Sequence, residues 1–154
     1  MPTVDTGIDV IAYDNVGRAV LIAEVKVKAG ATPPWAARFR SNMLAHGSLP
    51  KALFFLIATP ERIYFWRQDG ETETDALPEF TLNAEQEFKP YLERMNKAPR
   101  AIGGEALELL VFSWLTDMAR SGAERVKQDN SMKWLADSGL IGSLENARIE
   151  MNPA

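Results

Sequence analysis

The segment from Lys51 to Ala58, KALFFLIA, is apolar at every position after its first. It is too short for a typical helix, and a strand that is apolar on both faces must be covered on both. A turn at Thr59-Pro60-Glu61 follows, and Arg62 to Arg67 (RIYFWR) returns as a second strand that ends toward Asp69-Gly70. A chain holding such a pair needs layers above and below it. The economical architecture is a mixed central sheet flanked by helices, of the α/β or α+β class.

Upstream of that pair the sequence reads as a β-hairpin. Its first arm alternates from Ile8 to Tyr13, its turn is Asp14-Asn15-Val16-Gly17-Arg18, and its second arm runs from Ala19 to Val27. If Asp14 pairs with Ala19, Asp9 stands across from Glu24, and Lys26 emerges on the same side. A slip of one residue would send the opposing side chains to opposite faces. Facing carboxylates repel, so the pair needs a cation or a shared proton. A hard divalent ion with oxygen ligands is the simplest compensator.

The helical expectations follow from spacing. Trp35 to His46 forms a helix with Pro34 near its first position and Gly47 at its end, and Trp35, Phe39 and Met43 recur every fourth residue. The stretch from Glu71 to Leu82 is acidic and irregular. Glu85 to Met95 is a short helix limited or bent by Pro90, with Phe88, Leu92 and Met95 on one side. Pro99 to Gly104 separates a body, 1–98, from a helical segment, 99–154, that packs on the body or completes it.

In that segment, Leu107, Leu110, Val111, Trp114, Leu115 and Met118 mark a helix from Glu105 to Arg120, closed by Ser121-Gly122. Another helix covers Asn130 to Asp137 and stops at Ser138-Gly139. Ala147 to Met151 alternates as an edge strand. Glu105 and Glu108 cap the positive end of the long helix. Gly103-Gly104 is a turn rather than a phosphate loop, since no Lys-Ser or Lys-Thr follows.

The absence of cysteine excludes disulfides, thiolate metal sites and cysteine nucleophiles, and a single histidine, His46, excludes a histidine-rich zinc centre. His46 is expected to interact with the last carbonyls of its helix. No signal-like segment is seen and no apolar run approaches the roughly 20 residues that span a bilayer, so the expectation is a cytoplasmic protein without membrane contact. The net charge of -4 argues against a broad polyanion binder. A local basic patch at Lys26, Lys28, Arg38 and Arg40 remains compatible with it, because the acidic residues concentrate between Glu71 and Glu93. Trp35, Tyr64, Phe65, Trp66 and Trp114 are assigned to core packing.

On Asp9, the Glu24-Val25-Lys26 triplet and the helix after it, the chain resembles the restriction-endonuclease-like superfamily, whose motif is written PD-(D/E)-x-K. In that family an aspartate opens one strand, the triplet lies on the next antiparallel strand, and a helix and a further strand complete the edge. The stretch from Asp9 to Trp66 is also similar to the small nuclease domains at the start of type I restriction subunits. The proline of the motif is Ile8 here. The family core begins with a helix and a strand ahead of the aspartate strand, and only eight residues precede Asp9. Those elements are absent, or replaced by helix 105–120 and strand 147–151, or supplied by another chain.

The resemblance implies a metal-dependent endonuclease hydrolysing DNA phosphodiesters, with Mg²⁺ or Mn²⁺ as cofactor. Asp9, Glu24 and the backbone carbonyl of Val25 would be its metal ligands. Lys26 would orient water or offset the added negative charge, and Arg38 would be the phosphate contact, only one of Arg38 and Arg40 looking into the site. If helix 105–120 replaces the missing first helix, Glu105 becomes a supporting ligand. Two alternatives stand beside it. One is a catalytically silent protein of the same fold acting as a binding or regulatory subunit, with Lys26 held in a salt bridge. The other uses the helix around Trp114 as the seam of a homodimer.

Overall fold

The computed structural model describes residues 7–46, 49–68, 75–128 and 132–152. Among them the chain forms strands β1 (Val10–Tyr13) and β2 (Ala19–Val25), helix α1 (Pro33–His46), strands β3 (Phe54–Ala58), β4 (Arg62–Arg67) and β5 (Phe80–Asn83). Helices α2 (Ala84–Met95), α3 (Gly104–Gln128), α4 (Lys133–Asp137) and α5 (Leu140–Leu144) and strand β6 (Arg148–Met151) complete it. One mixed sheet runs in the order β5-β4-β3-β2-β1-β6, in which only the β2–β3 pair is parallel. That parallel pair follows from the connection: α1 carries the chain back along the sheet between the two strands.

β3 is buried at all five positions because both of its faces are covered. On one side Phe55 and Ile57 join Ile11, Ile22, Tyr64 and Trp66 beneath α1. On the other, Phe54 and Leu56 join Val10, Ala23 and Phe65 beneath α2, α3, α4 and α5. The doubly apolar run therefore forms the middle of a three-layer structure.

The hairpin keeps the expected register where it matters and departs from it at the turn. Val10 faces Ala23 and Ile11 faces Ile22, so extension by one residue brings Asp9 to Glu24. A bulge between Ala12 and Tyr13 then puts Tyr13, not Asp14, opposite Ala19. Asp14 is released to fasten the turn, its Oδ1 accepting from the N–H groups of Val16 and Arg18, with Gly17 at φ 85°.

Two expectations need correction. The stretch read as irregular to Leu82 ends in β5, which pairs antiparallel with β4, Ile63 against Leu82 and Phe65 against Phe80. Its four residues hold only two apolar side chains, too few to announce a strand. The regular run of the long helix ends where Ser121-Gly122 is expected to close it: the backbone breaks at Ser121 (φ −145°, ψ 19°), whose hydroxyl donates to Asp117 O, and a second helical run, not foreseen, continues α3 to Gln128. Gly122 sits at this kink because a Cβ there would lie 2.0 Å from Ile141 Cδ1 of α5.

The second concerns Trp114, offered as the centre of a homodimer seam: it is 1% exposed, packed edge-on against Phe88 and in a stack with Trp134 inside the monomer. The apolar face of α3 is wide because it serves the sheet, α2, α4 and α5 at once. Gly47, Asp69-Gly70, residues 71–74 and Asn130, along with the side chain of His46, lie outside the described residues.

Segment 99–154 completes the sheet. β6 pairs antiparallel with β1, Val10 against Met151 and Ala12 against Ile149, and α3 packs over β1 and β2. A helix and a strand thus stand beside the aspartate strand, supplied from later in the chain. Among the described residues no helix is long and apolar enough to cross a membrane.

Candidate active site

Asp9 lies immediately before β1, between the buried Ile8 and Val10 and across from Glu24 on β2. Its main chain is tied on both sides. The Asp9 N–H donates to Glu24 Oε2 at 3.1 Å, and its carbonyl accepts from the Asn152 N–H at 2.8 Å, just past β6. Its side chain reaches across in return, Oδ2 accepting the Val25 N–H at 2.8 Å. Each acidic residue thus takes a backbone donor from the other's strand, and the carboxylates are held together.

Glu24 is 1% exposed, shares the α1 side of β2 with Ile22, and has Ile57 as its neighbour on β3. Its Oε1 is buried and has no hydrogen-bond partner among the described residues. Burial, followed by contact with the Asp9 carboxyl, pushes the Glu24 acid up to about 9, while the Lys26 ammonium pulls the other way. Without a cation, Glu24 keeps its proton at neutral pH. The repulsion noted in the sequence is resolved by that shared proton, or by a metal that displaces it.

Lys26, one residue beyond β2, continues the ladder by donating its N–H to Ala58 O at 3.0 Å. Its Nζ stands 5.0 Å from the Phe39 ring centroid on α1. Lys26 is exposed and makes no ion pair with Asp or Glu among the described residues. The salt bridge expected of a silent site is not formed there.

From the opposite layer, α3 presents its first turns to the same corner. Glu108, half-buried, lies near the Asp9 carboxyl, and its own acid is raised first by burial and then by Asp9, with Asn152 opposing. Glu105, one turn earlier, is exposed and bears on Glu108 only through its charge. The sequence pointed to Glu105 as the supporting acid; the structure brings Glu108. Both flank the apolar stripe of α3, but the side chain that comes near Asp9 depends on how the helix is rotated over the sheet, which periodicity does not report.

Arg38 and Arg40 separate as their helical positions require. Arg40 is buried, pointing away from the carboxylates toward Gln68 Oε1, 3.0 Å from its Nη2, with its guanidinium over Trp66 and Phe55. Arg38 is exposed on the outer side of α1, without an ion pair or hydrogen bond to the carboxylates. Val25 contributes its N–H to Asp9, whereas the resemblance assigned its carbonyl to a metal.

Among the described residues, no three or more His, Cys, Asp or Glu side chains converge as a ready metal cage. The structure has a carboxylate pair with Glu108 near one member. Among the described residues no donor reaches Glu24 Oε1, which leaves the pair an oxygen that a shared proton or a hard cation would suit. Comparison of the chain with protein-family models, with curated proteins and with solved structures finds no match.

Proposed function

We propose that this protein is a metal-dependent endonuclease of the restriction-endonuclease-like kind, hydrolysing DNA phosphodiester bonds. The observation that carries the reading is the Asp9–Glu24 pair, whose buried Oε1 has no partner among the described residues, two residues from an exposed lysine that forms no ion pair among them. Asp9, Glu24 and the carbonyl of Val25 would hold Mg²⁺ or Mn²⁺. Bound there, the ion supplies an activated water and counter-charge for the phosphorane. The chain's own contribution is positioning. The Val25 N–H fixes the Asp9 carboxyl, the Asp9 N–H fixes Glu24, and the Lys26 ammonium offsets charge that builds on the phosphoryl oxygens. Arg38 offers a guanidinium to a phosphate of the strand farther out.

Calorimetric titration of the intact protein and of Asp9→Ala with Mn²⁺ and Mg²⁺ tests the metal. Saturable heat from the first and none from the second is expected, with loss of nicking of plasmid DNA in the variant. Identical titrations would end the assignment.

One observation favours a second reading, a silent protein of the same fold serving as a binding or regulatory subunit. Backbone donors already occupy Asp9 Oδ2 and Glu24 Oε2, and a retained proton settles the pair without a metal. In that case the intact protein takes up no divalent ion.

A further inference from the structure

Beside the carboxylate pair, α1 carries a small aromatic platform with cations around it. The rings of Trp35 and Phe39, one helical turn apart, stack at 5.7 Å with an interplanar angle of 29°. Lys26 Nζ lies 5.0 Å from the Phe39 centroid, and Lys28 Nζ lies 5.6 Å from that of Trp35. Arg38, three residues after Trp35, projects from the same outer strip. None of these cations is paired with an acid among the described residues, in a chain whose net charge is -4. The protein contains four tryptophans, and Trp66, Trp114 and Trp134 are buried at 2%, 1% and 6% exposure. Trp35 is half-buried, packed with Phe39 against the core beneath α1, and is the one tryptophan of the four that is not fully buried.

We propose that this platform seats an unpaired base, so that the substrate is DNA with a single-stranded segment entering the site along α1. The proposal rests on the nuclease reading for its position beside Asp9 and Glu24, but binding by the platform is separable from cleavage. Aromatic faces accept any base by stacking, and surrounding cations track the backbone phosphates. In an intact duplex the bases are stacked on one another, leaving no face for Trp35. Lys28 rests over the indole in the free protein. Its long stem lets the ammonium move aside when a base arrives and pair with the adjoining phosphate. An acidic protein partner would use the cations but not the stacked ring.

The test is tryptophan fluorescence titration in EDTA, which keeps cleavage silent, using an oligothymidylate and a duplex of equal length. Stacking on Trp35 quenches the one indole that is not fully buried. The wild-type protein is expected to show saturable quenching by the single strand and little by the duplex. In Trp35→Phe the quenching disappears while binding, followed by anisotropy of a labelled strand, is retained within a few-fold. In Trp35→Ala single-strand affinity falls about tenfold. Arg38→Glu, which leaves the rings in place, weakens binding and flattens its salt dependence, and serves if Trp35→Ala does not fold.

Single-strand binding unchanged in Trp35→Ala, or quenching that survives in Trp35→Phe, overturns the proposal. So does equal preference for the duplex. Metal titration decides the nuclease reading independently. Strand-dependent quenching in a protein that takes up no divalent ion would support the platform while ending the assignment of catalysis.

Discussion

Glu24 and Arg40 are both ionisable residues inside the same layer, 1% and 2% exposed, yet they are treated in opposite ways. Arg40 lies toward the far end of the sheet. Its Nε and Nη2 donate to Gln68 Oε1 at 3.2 and 3.0 Å, Gln68 in turn donates to Ala52 O, and the guanidinium plane covers Trp66 and Phe55. Burial lowers its affinity for a proton, but arginine has enough in reserve to stay charged. Glu24, at the other end, retains an oxygen with no donor among the described residues and a carboxyl neighbour. A buried ionisable group surrounded by partners is part of the frame; one left short of them is available for something else.

The comparison is broken most directly at Glu24. Glu24→Gln keeps the shape and the acceptor for Asp9 N–H but removes the charge, and should lower DNA nicking by about a hundredfold or more while thermal stability changes little. If nicking survives, the carboxylate is not part of the chemistry. Arg40→Ala should do the reverse. Removing a buried, hydrogen-bonded guanidinium and its stem is expected to cost about 3 kcal/mol in urea unfolding, with nicking per folded molecule unchanged. Loss of activity without loss of stability would show the two ends to be one site.

A pH series sharpens the contrast. The Glu24 acid is raised from 4.5 to about 9 in the folded protein, so between those values the folded state holds a proton that the unfolded state has released. Stability contributed by this group is therefore fully present below about pH 4.5 and declines as pH rises toward 9. In EDTA, thermal melts of the wild type should fall more steeply from pH 5 to 9 than those of Glu24→Gln. Mg²⁺ binding at pH 7 should release about one proton, read from the dependence of titration heat on buffer ionisation enthalpy. Smallest is the effect expected at the α3 kink. Gly122→Ala gains helix propensity but pushes on Ile141, for a net cost of about 1 kcal/mol in the same unfolding assay. A stabilised variant would show that Ile141 yields freely.

Those two ends also differ in how visible they were from the sequence. The hairpin announced Asp9 opposite Glu24 because alternation and turn length constrain register locally, and the bulge at Tyr13 left that pairing intact. β3, β4, α1 and α2 were equally legible from short-range pattern. β6 was read from its alternation as an edge strand, but its neighbour was not. β5 and α5 were missed because four or five residues cannot establish a period. Arg40's fate depended on Gln68, and Glu108's on Asp9, interactions across 28 and 99 positions of sequence. No local signal carries such information. The sequence offered an acid beside the α3 stripe, and tertiary packing chose which one.

The bond from Asn152 N–H to Asp9 O has a consequence for when this protein can work. A chain still emerging from the ribosome possesses the whole hairpin, and with it both acids, long before Arg148–Met151 has been made. Until that strand arrives, the outer side of β1 is an open ladder and the Asn152 N–H is not there to hold Asp9 O. The corner is finished by residues translated well over a hundred positions after both acids, so assembly of the acidic site serves as a readout that the intervening fold is already in place.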